Sequence, residues 1–512
     1  MRPDPRDASI RSLLEYRAAC DPQATFMLAP ENGCRLSFAE LLQSSRHLAA
    51  FLDSHGIAPG AHVSMVLPNG LQAVRTFVGT MAAARVVVPL SLIAQVGQLA
   101  YVIEHSDCVA VFVAVEFEAR LRAALAKLSR PVMVFVVDPD VVGMGEEKAL
   151  TAWPETEPVA EDTALLMYTS GTTGLPKGVL LSHNNVLSGA RFVSAVHGLG
   201  GSDRVLAVLP LYHINAQIVT VLAPLYHGGS LVMPRRFSKQ AFWSLAEEHR
   251  CTWLNVVPTI IAFLLGECTE SADASIPALD HSRLRFCRSA SAPLPPAHQQ
   301  AFEERFGVPV VETMGLTETA APVFANFSDM ERRKIASPGQ AYGNEARVID
   351  AATGLELPSG SPGEIIVRGP NVTSGYYKSP DETRRAFTAD GWLRTGDLGC
   401  RDEDGFYFIT GRLKELIIKG GENIAPREID EVLLQHPAVL EAAAVGVPDA
   451  LYGQEILVGI VLRPGAHCGE VNLMEFCRER LGAFKTPRYL RFMSELPKGP
   501  SGKVQRNRLL ES

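Results

Sequence analysis

No run of this sequence is apolar for long enough to cross a bilayer, and charges are scattered through its first residues. Neither a membrane span nor a secretory leader is expected. A basic stripe is also missing. Lys and Arg number 48 against 56 Asp and Glu, a net charge of −8, so nucleic acid finds no non-specific attraction. The nine cysteines never form C-x-x-C, which argues against a disulfide frame or a zinc site and for a reducing, cytoplasmic setting. There is no internal repeat, and no context for a Ser-His-Asp set or an activated cysteine.

What is present is an ordinary globular composition, 47% apolar and 20% charged, spread over 512 residues. That length is too great for one compact core, so two or more domains are expected. The densest stretch is YTSGTTGLPKG, Tyr168 to Gly178, between the apolar runs ALLMY and VLLSH. Thr169, Ser170, Thr172 and Thr173 supply hydroxyls. Gly171, Gly174 and Gly178 let the backbone curl so that successive N–H groups face one anion. Lys177 adds a point charge. The pattern predicts a loop for a nucleotide polyphosphate, with Asn184 and Asn185 placed to cap the helix beyond. It is not the G-x-x-x-x-G-K-[ST] loop, because Gly178 follows Lys177.

Around it, helix-like and strand-like stretches alternate. SFAELLQSSRHLAAFLDSHG and LQAVRTFVGTMAAA read as helices; HVSMV, RVVVPL and VAVFVAV read as strands. The alternation predicts an α/β fold: a large N-terminal domain of doubly wound, mostly parallel sheets with helices. Residues 141–163 read as an acidic surface connection. Further strand-then-loop segments are VLAVLPLYHINAQ, TWLNVVPTI, LRFCRSASAPLPP and VVETMGLTET. Ligands in open α/β sheets sit at such strand ends. Beyond about Gly411, AAAVGVP, ILVGIVL and VNLMEFCRERLG predict a small α+β domain.

The phosphate loop resembles that of the adenylate-forming, AMP-binding superfamily, which includes acyl-CoA synthetases, aryl-CoA ligases, luciferases and adenylation domains. The resemblance covers essentially the whole chain and is strongest at 168–178, 315–318, 394–424 and 497–506. It implies that Thr169 to Gly174 and Lys177 hold the departing phosphates. Ala290, Ser291 and Ala292, with Glu312, Thr313, Met314 and Gly315, would surround the adenine. Met314 replaces the family's usual stacking aromatic, and Ala290 stands where glycine is common. Thr317 would bind phosphate, Glu318 would hold Mg²⁺, and Asp397 and Arg412 would meet the ribose. Lys414 matches the hinge position, so the resemblance implies a division into 1–410, a hinge at 411–416 and a small, mobile lid domain at 417–512. Gly420 and Gly421 match the turn beside the acyl-thiol tunnel, and Lys503 the lysine that meets the forming acyl phosphate. His213 either caps a loop or, as in the family, gates the carboxylate pocket beside Tyr212. No Asp lies in that segment, which disfavours an amino-acid substrate.

The expected chemistry is ATP-dependent ligation of a small carboxylic acid to coenzyme A through an acyl-adenylate, with ATP, Mg²⁺ and coenzyme A as partners. Arg288 stands at the end of an apolar strand. It needs an anion or carbonyls: either it ties down a loop, or it reads the distal charge of a short, polar acid, aided by Tyr212, His213, Asn215 and Asn255. The stretch is similar to that of ligases for oxalate and related small acids. Two alternatives stand beside this: a free-standing enzyme loading a medium-chain or aryl acid onto a carrier-protein thiol, and a nucleotide-binding regulatory protein without catalysis. A homodimer is left open.

Overall fold

The computed structural model describes residues 5–141, 153, 156–169, 175–266, 281–498 and 504–511. Two large sheets form the body. The nine-stranded sheet runs from Gln340–Ala341 through Ala321–Ala325, Val310–Leu316, Phe286–Ser289, Trp253–Val256, Arg204–Ala207, Ser230–Val232 and Thr25–Ala29 to Cys34–Ser37. Its six strands from Val310–Leu316 to Thr25–Ala29 are parallel. The seven-stranded sheet runs from Gly375–Tyr376 through Lys177–Ser182, Thr163–Thr169, Val86–Pro89, His62–Val66 and Ala110–Ala114 to Met133–Val137, and its last five strands are parallel.

These parallel strands are continuous apolar runs because both faces are covered. Helix Leu71–Ala82 lies inside the body and is buried along all twelve residues; its one charge, Arg75, is satisfied by Gln72 Oε1 and the Ser44 carbonyl. Full burial of Phe77 alone is worth about 2–3 kcal/mol. Helix Phe38–Ser54 begins as the sequence predicts: the Ser37 hydroxyl accepts from the Glu40 N–H, and Glu40 reaches back to the Ser37 N–H at 2.7 Å.

Two local expectations change. The helix after the phosphate loop is capped by Ser182, not by Asn184 or Asn185; Asn185 instead closes the capping box as its third helical residue. A four-stranded antiparallel sheet was also not foreseen. It is formed by Glu345–Ile349, Gly363–Arg368, Leu393–Arg401 and Tyr407–Arg412, and its half-polar strands with tight turns lack the apolar runs of the parallel sheets.

The smaller C-terminal domain pairs Val439–Asp449 with Gly453–Leu462, antiparallel, and adds Tyr489–Phe492 in parallel. Helices Pro426–Leu434 and Glu470–Lys485 pack Ile429, Leu433, Leu473 and Cys477 against it. No helix among the described residues is long and apolar enough to cross a membrane.

Candidate active site

The phosphate loop hangs from an antiparallel pair, with Tyr168 opposite Gly178 and Thr169 opposite Lys177. Ser170, Gly171, Thr172, Thr173 and Gly174 lie outside the described residues. Both stems are gripped by helix Val96–His105. His105 Nδ1 lies 2.7 Å from the Tyr168 phenol, and the Tyr101 phenol donates to the Pro176 carbonyl at 3.2 Å. Lys177 is thereby fixed at the mouth. It pairs with Glu382 and holds its ammonium 5.6 Å from the centre of the Tyr376 ring.

Strand Val310–Leu316 delivers the acidic residue to the same place. The chain reverses sharply through Thr317–Thr319, with Ala320 and Ala321 left-handed at φ 45° and 82°. Here Gly315 is obligatory in a steric sense: a Cβ would meet the Ala321 carbonyl oxygen at 2.0 Å. The Glu318 carbonyl accepts from the Thr373 N–H at 2.7 Å, and its Oε1 accepts from the Tyr376 phenol at 3.0 Å. Burial and the Glu318 charge both push the Tyr376 phenol up, so it stays a donor. Lys177, Tyr376 and Glu318 thus form one cluster from two strands and the turn after a third. No group of three or more His, Cys, Asp or Glu among the described residues could cage a metal. A single carboxylate fits Mg²⁺, which keeps water and substrate phosphate oxygens as most of its ligands.

Asp397 and Arg412 are register partners on adjacent antiparallel strands, and Arg412 Nε lies 2.8 Å from Asp397 Oδ1. Asp397 is buried while the arginine is half-exposed, and the carboxylate raises the arginine's pKa. At that exposure the ion pair is worth about 1 kcal/mol or less. Its use is positional: it presents one acceptor and one cation together.

The candidate acid pocket is built on two neighbouring parallel strands, Trp253–Val256 and Phe286–Ser289, and the segment after a third, Arg204–Ala207. Arg288 is 2% exposed. Its Nη1 donates to Asn215 Oδ1 at 3.0 Å and to Asn255 Oδ1 at 2.9 Å. Its Nε is buried without a partner, and among the described residues no carboxylate pairs with it. Burial alone lowers its pKa to about 9. Asn215 opens an eight-residue π-helix, Asn215–Leu222, that follows Tyr212 and His213. Those two rings lie 4.5 Å apart, centre to centre.

The adenine-side residues divide. Ser291 and Ala292 are half-exposed, and Ser291 is left-handed at φ 74°. Ala290 is buried, its N–H donating to the Val256 carbonyl at 3.3 Å. Met314 is half-buried against the cluster of Val323 and Phe324. Glu312 and Thr313 are 4% and 2% exposed, and Glu312 Oε1 accepts from the Leu294 N–H at 3.2 Å. These two stand behind the loop and brace it.

The remaining expected residues lie apart. Gly420 and Gly421, at φ 56° and 84°, turn the hairpin of Ile417–Lys419 and Glu422–Ile424 beside Tyr452. Lys414 sits in the short turn Leu413–Glu415. Lys503 lies outside the described residues. Sequence reasoning missed Tyr376, Glu382, Tyr101 and His105. Only the GYY triplet at Gly375 hinted at the first, because no fixed spacing links it to Glu318.

Comparison with known proteins gives one consistent picture. The model of the AMP-binding enzyme family matches residues 14–377, and that of the AMP-binding enzyme C-terminal domain matches 428–503. A sulfoacetate–CoA ligase of Cupriavidus necator is 52% identical over 504 residues, 98% of this chain and 97% of that protein. An oxalate–CoA ligase of Arabidopsis thaliana is 35% identical over 473 residues, covering 90% of each. Among solved structures, ATP-bound MatB from Rhodopseudomonas palustris superposes with a TM-score of 0.89 at 31% identity, covering 98% of both chains.

Proposed function

We propose a substrate class from one premise: the chain belongs to the AMP-binding enzyme family. It is an AMP-forming acid–CoA ligase that uses ATP, Mg²⁺ and coenzyme A. Its acid is small and anionic, carrying a second negative group beside the reacting carboxylate, with sulfoacetate the first candidate. The observation that carries this is Arg288: a buried guanidinium whose only partners among the described residues are two neutral amides. A buried cation without a counter-ion is costly, and a distal sulfonate or carboxylate on the acid removes that cost.

The chemistry follows from placement. A carboxylate oxygen attacks the α-phosphorus of ATP and pyrophosphate leaves; the coenzyme A thiol then attacks the acyl carbon and AMP leaves. Both steps need positioning and charge stabilisation more than covalent help. Thr169 and Lys177 flank the departing phosphates, and Asp397 with Arg412 holds the ribose. Glu318, oriented by Tyr376, would hold Mg²⁺, which neutralises phosphate charge when bound. Thr317 and Lys503 add contacts to phosphate, and His213 lines the path of the acid.

The two half-reactions require different surroundings, supplied by rotation of residues 417–512 against 1–410. The support for a hinge at Lys414 is local. Arg412 is tied to the large domain through Asp397, while Glu415 is tied to the small one through Arg506, which also pairs with Asp430. Only Leu413 and Lys414 stand between those anchors. In this reading Lys503 serves adenylation, and the Gly420–Gly421 turn replaces it for the thiol.

The test is pyrophosphate release across a panel of acids, with and without coenzyme A. Sulfoacetate and short dicarboxylates should exceed uncharged acids of equal size. Preference for octanoate over every short dianion would overturn the substrate class.

A further inference from the structure

The surroundings of Arg288 are neutral in a particular way. Asn255 and Arg288 are direct register partners on the parallel strands Trp253–Val256 and Phe286–Ser289. The next strand places the apolar Val311 opposite Arg288 in register. Both Nη1 hydrogens are taken by amide oxygens, Asn215 Oδ1 and Asn255 Oδ1. The amide orientations are fixed by the rest of the chain of bonds. Asn255 Nδ2 donates to Asn215 Oδ1 at 3.2 Å, and Asn215 Nδ2 donates to Ser291 Oγ at 3.1 Å. Turning either amide over would set N–H against N–H. His197 adds no second positive charge: burial foremost, then the charges of Arg288 and Arg285, lower its pKa to about 3, so it is neutral.

The anchor of this relay is itself strained. Ser291 is a non-glycine residue in the left-handed region, at a cost of about 1–2 kcal/mol, and its hydroxyl accepts the Asn215 amide. It lies in the small-residue loop that follows strand Phe286–Ser289. The strand end, the π-helix start and this loop are thereby joined through one guanidinium.

An isosteric aspartate at either asparagine would make the same bond to Nη1 and also cancel the charge. The amides make the bond and leave the charge. What remains of the guanidinium is its Nε–Nη2 edge, with Nε buried and unpaired. Two parallel N–H groups on one edge match two oxygens of a carboxylate or a sulfonate. We infer that Asn215 and Asn255 are specificity-determining residues. They withhold a counter-ion from Arg288 and pin its Nη1, so that the distal anionic group of the acid becomes the counter-ion, received side-on. This rests on the substrate class proposed above and adds the residues that enforce it.

The experiment compares Asn255→Asp, Asn215→Asp and Asn255→Leu with wild type, each checked for thermal unfolding. Pyrophosphate release is measured with sulfoacetate, malonate and methoxyacetate, the last being short and uncharged at its distal end. Each aspartate should lower the ratio of kcat/KM for the dianions to that for methoxyacetate by ten- to a hundredfold, with the change in KM. Asn255→Leu removes the bond without adding charge, so the preference for dianions should persist even where all rates fall. Equal loss of preference in the leucine and aspartate variants would mean that Asn255 only packs, and overturns the inference. An unchanged ratio in both folded aspartate variants overturns it too. If wild type itself prefers methoxyacetate, the substrate class fails before any variant is read.

Discussion

The Tyr376 phenol donates to Glu318 at 3.0 Å while Lys177 lies over the same ring, so one tyrosine joins the acidic residue to the phosphate loop. Tyr376→Phe keeps the ring under Lys177 and removes only the bond to the carboxylate. A hydrogen bond to a charged group is worth about 1.5–3 kcal/mol, which is roughly ten- to a hundredfold in rate. The loss should appear in pyrophosphate release, and higher Mg²⁺ should restore part of it. Indifference to Mg²⁺ would place Glu318 in another role.

Arg288→Met removes the charge from the proposed acid pocket and leaves most of the volume. The KM for sulfoacetate should rise by roughly ten- to a hundredfold, the worth of a charge-assisted bond. Steady-state kinetics on sulfoacetate and methoxyacetate side by side checks this. An equal change for both acids would make Arg288 a structural tie.

Lys503→Ala should stop adenylation by at least about a hundredfold, the usual effect of removing one charge stabiliser from a closed site. Thioester formation from a supplied acyl-adenylate should be affected far less. Lys414→Pro should give the opposite pattern, because proline fixes φ at the turning point. Single-turnover assays of the two half-reactions separate these outcomes; parallel losses in both would put the hinge elsewhere.

Glu312 gives the stability a pH slope. Burial raises its pKa from the ordinary 4.5 to about 7. Between those values the folded chain keeps a proton that the unfolded chain has released, so stability falls as pH rises through this window. Above it the full cost stands at about 3 kcal/mol. Glu312→Gln cannot ionise, so its Tm should fall less than that of wild type between pH 5 and pH 8. Differential scanning calorimetry at both pH values reads the difference.

Much of this was legible in the residues. Apolar runs bounded by glycine, proline and caps gave the parallel strands and helices Phe38–Ser54 and Leu71–Ala82, because burial on both faces leaves little else those runs can do. The antiparallel sheet of residues 345–412 escaped, since half-polar strands are set by partners rather than by their own pattern. The same limit hid the site's wiring. Arg288, Asn215 and Asn255 could be assigned to one pocket from the residues, but not the bonds that join them across 73 and 33 residues. Tyr376 likewise meets Glu318 across 58 residues, a distance that only strand order determines.

On the substrate reading above, the Nε edge of Arg288, which no described residue pairs, is also open to the small ions of the medium. Chloride, nitrate and acetate would then compete with the acid by occupancy rather than by screening. Affinity for the acid would be a property of enzyme and buffer together: exchanging chloride for an anion too bulky to enter, at constant ionic strength, should lower the apparent KM without touching the protein.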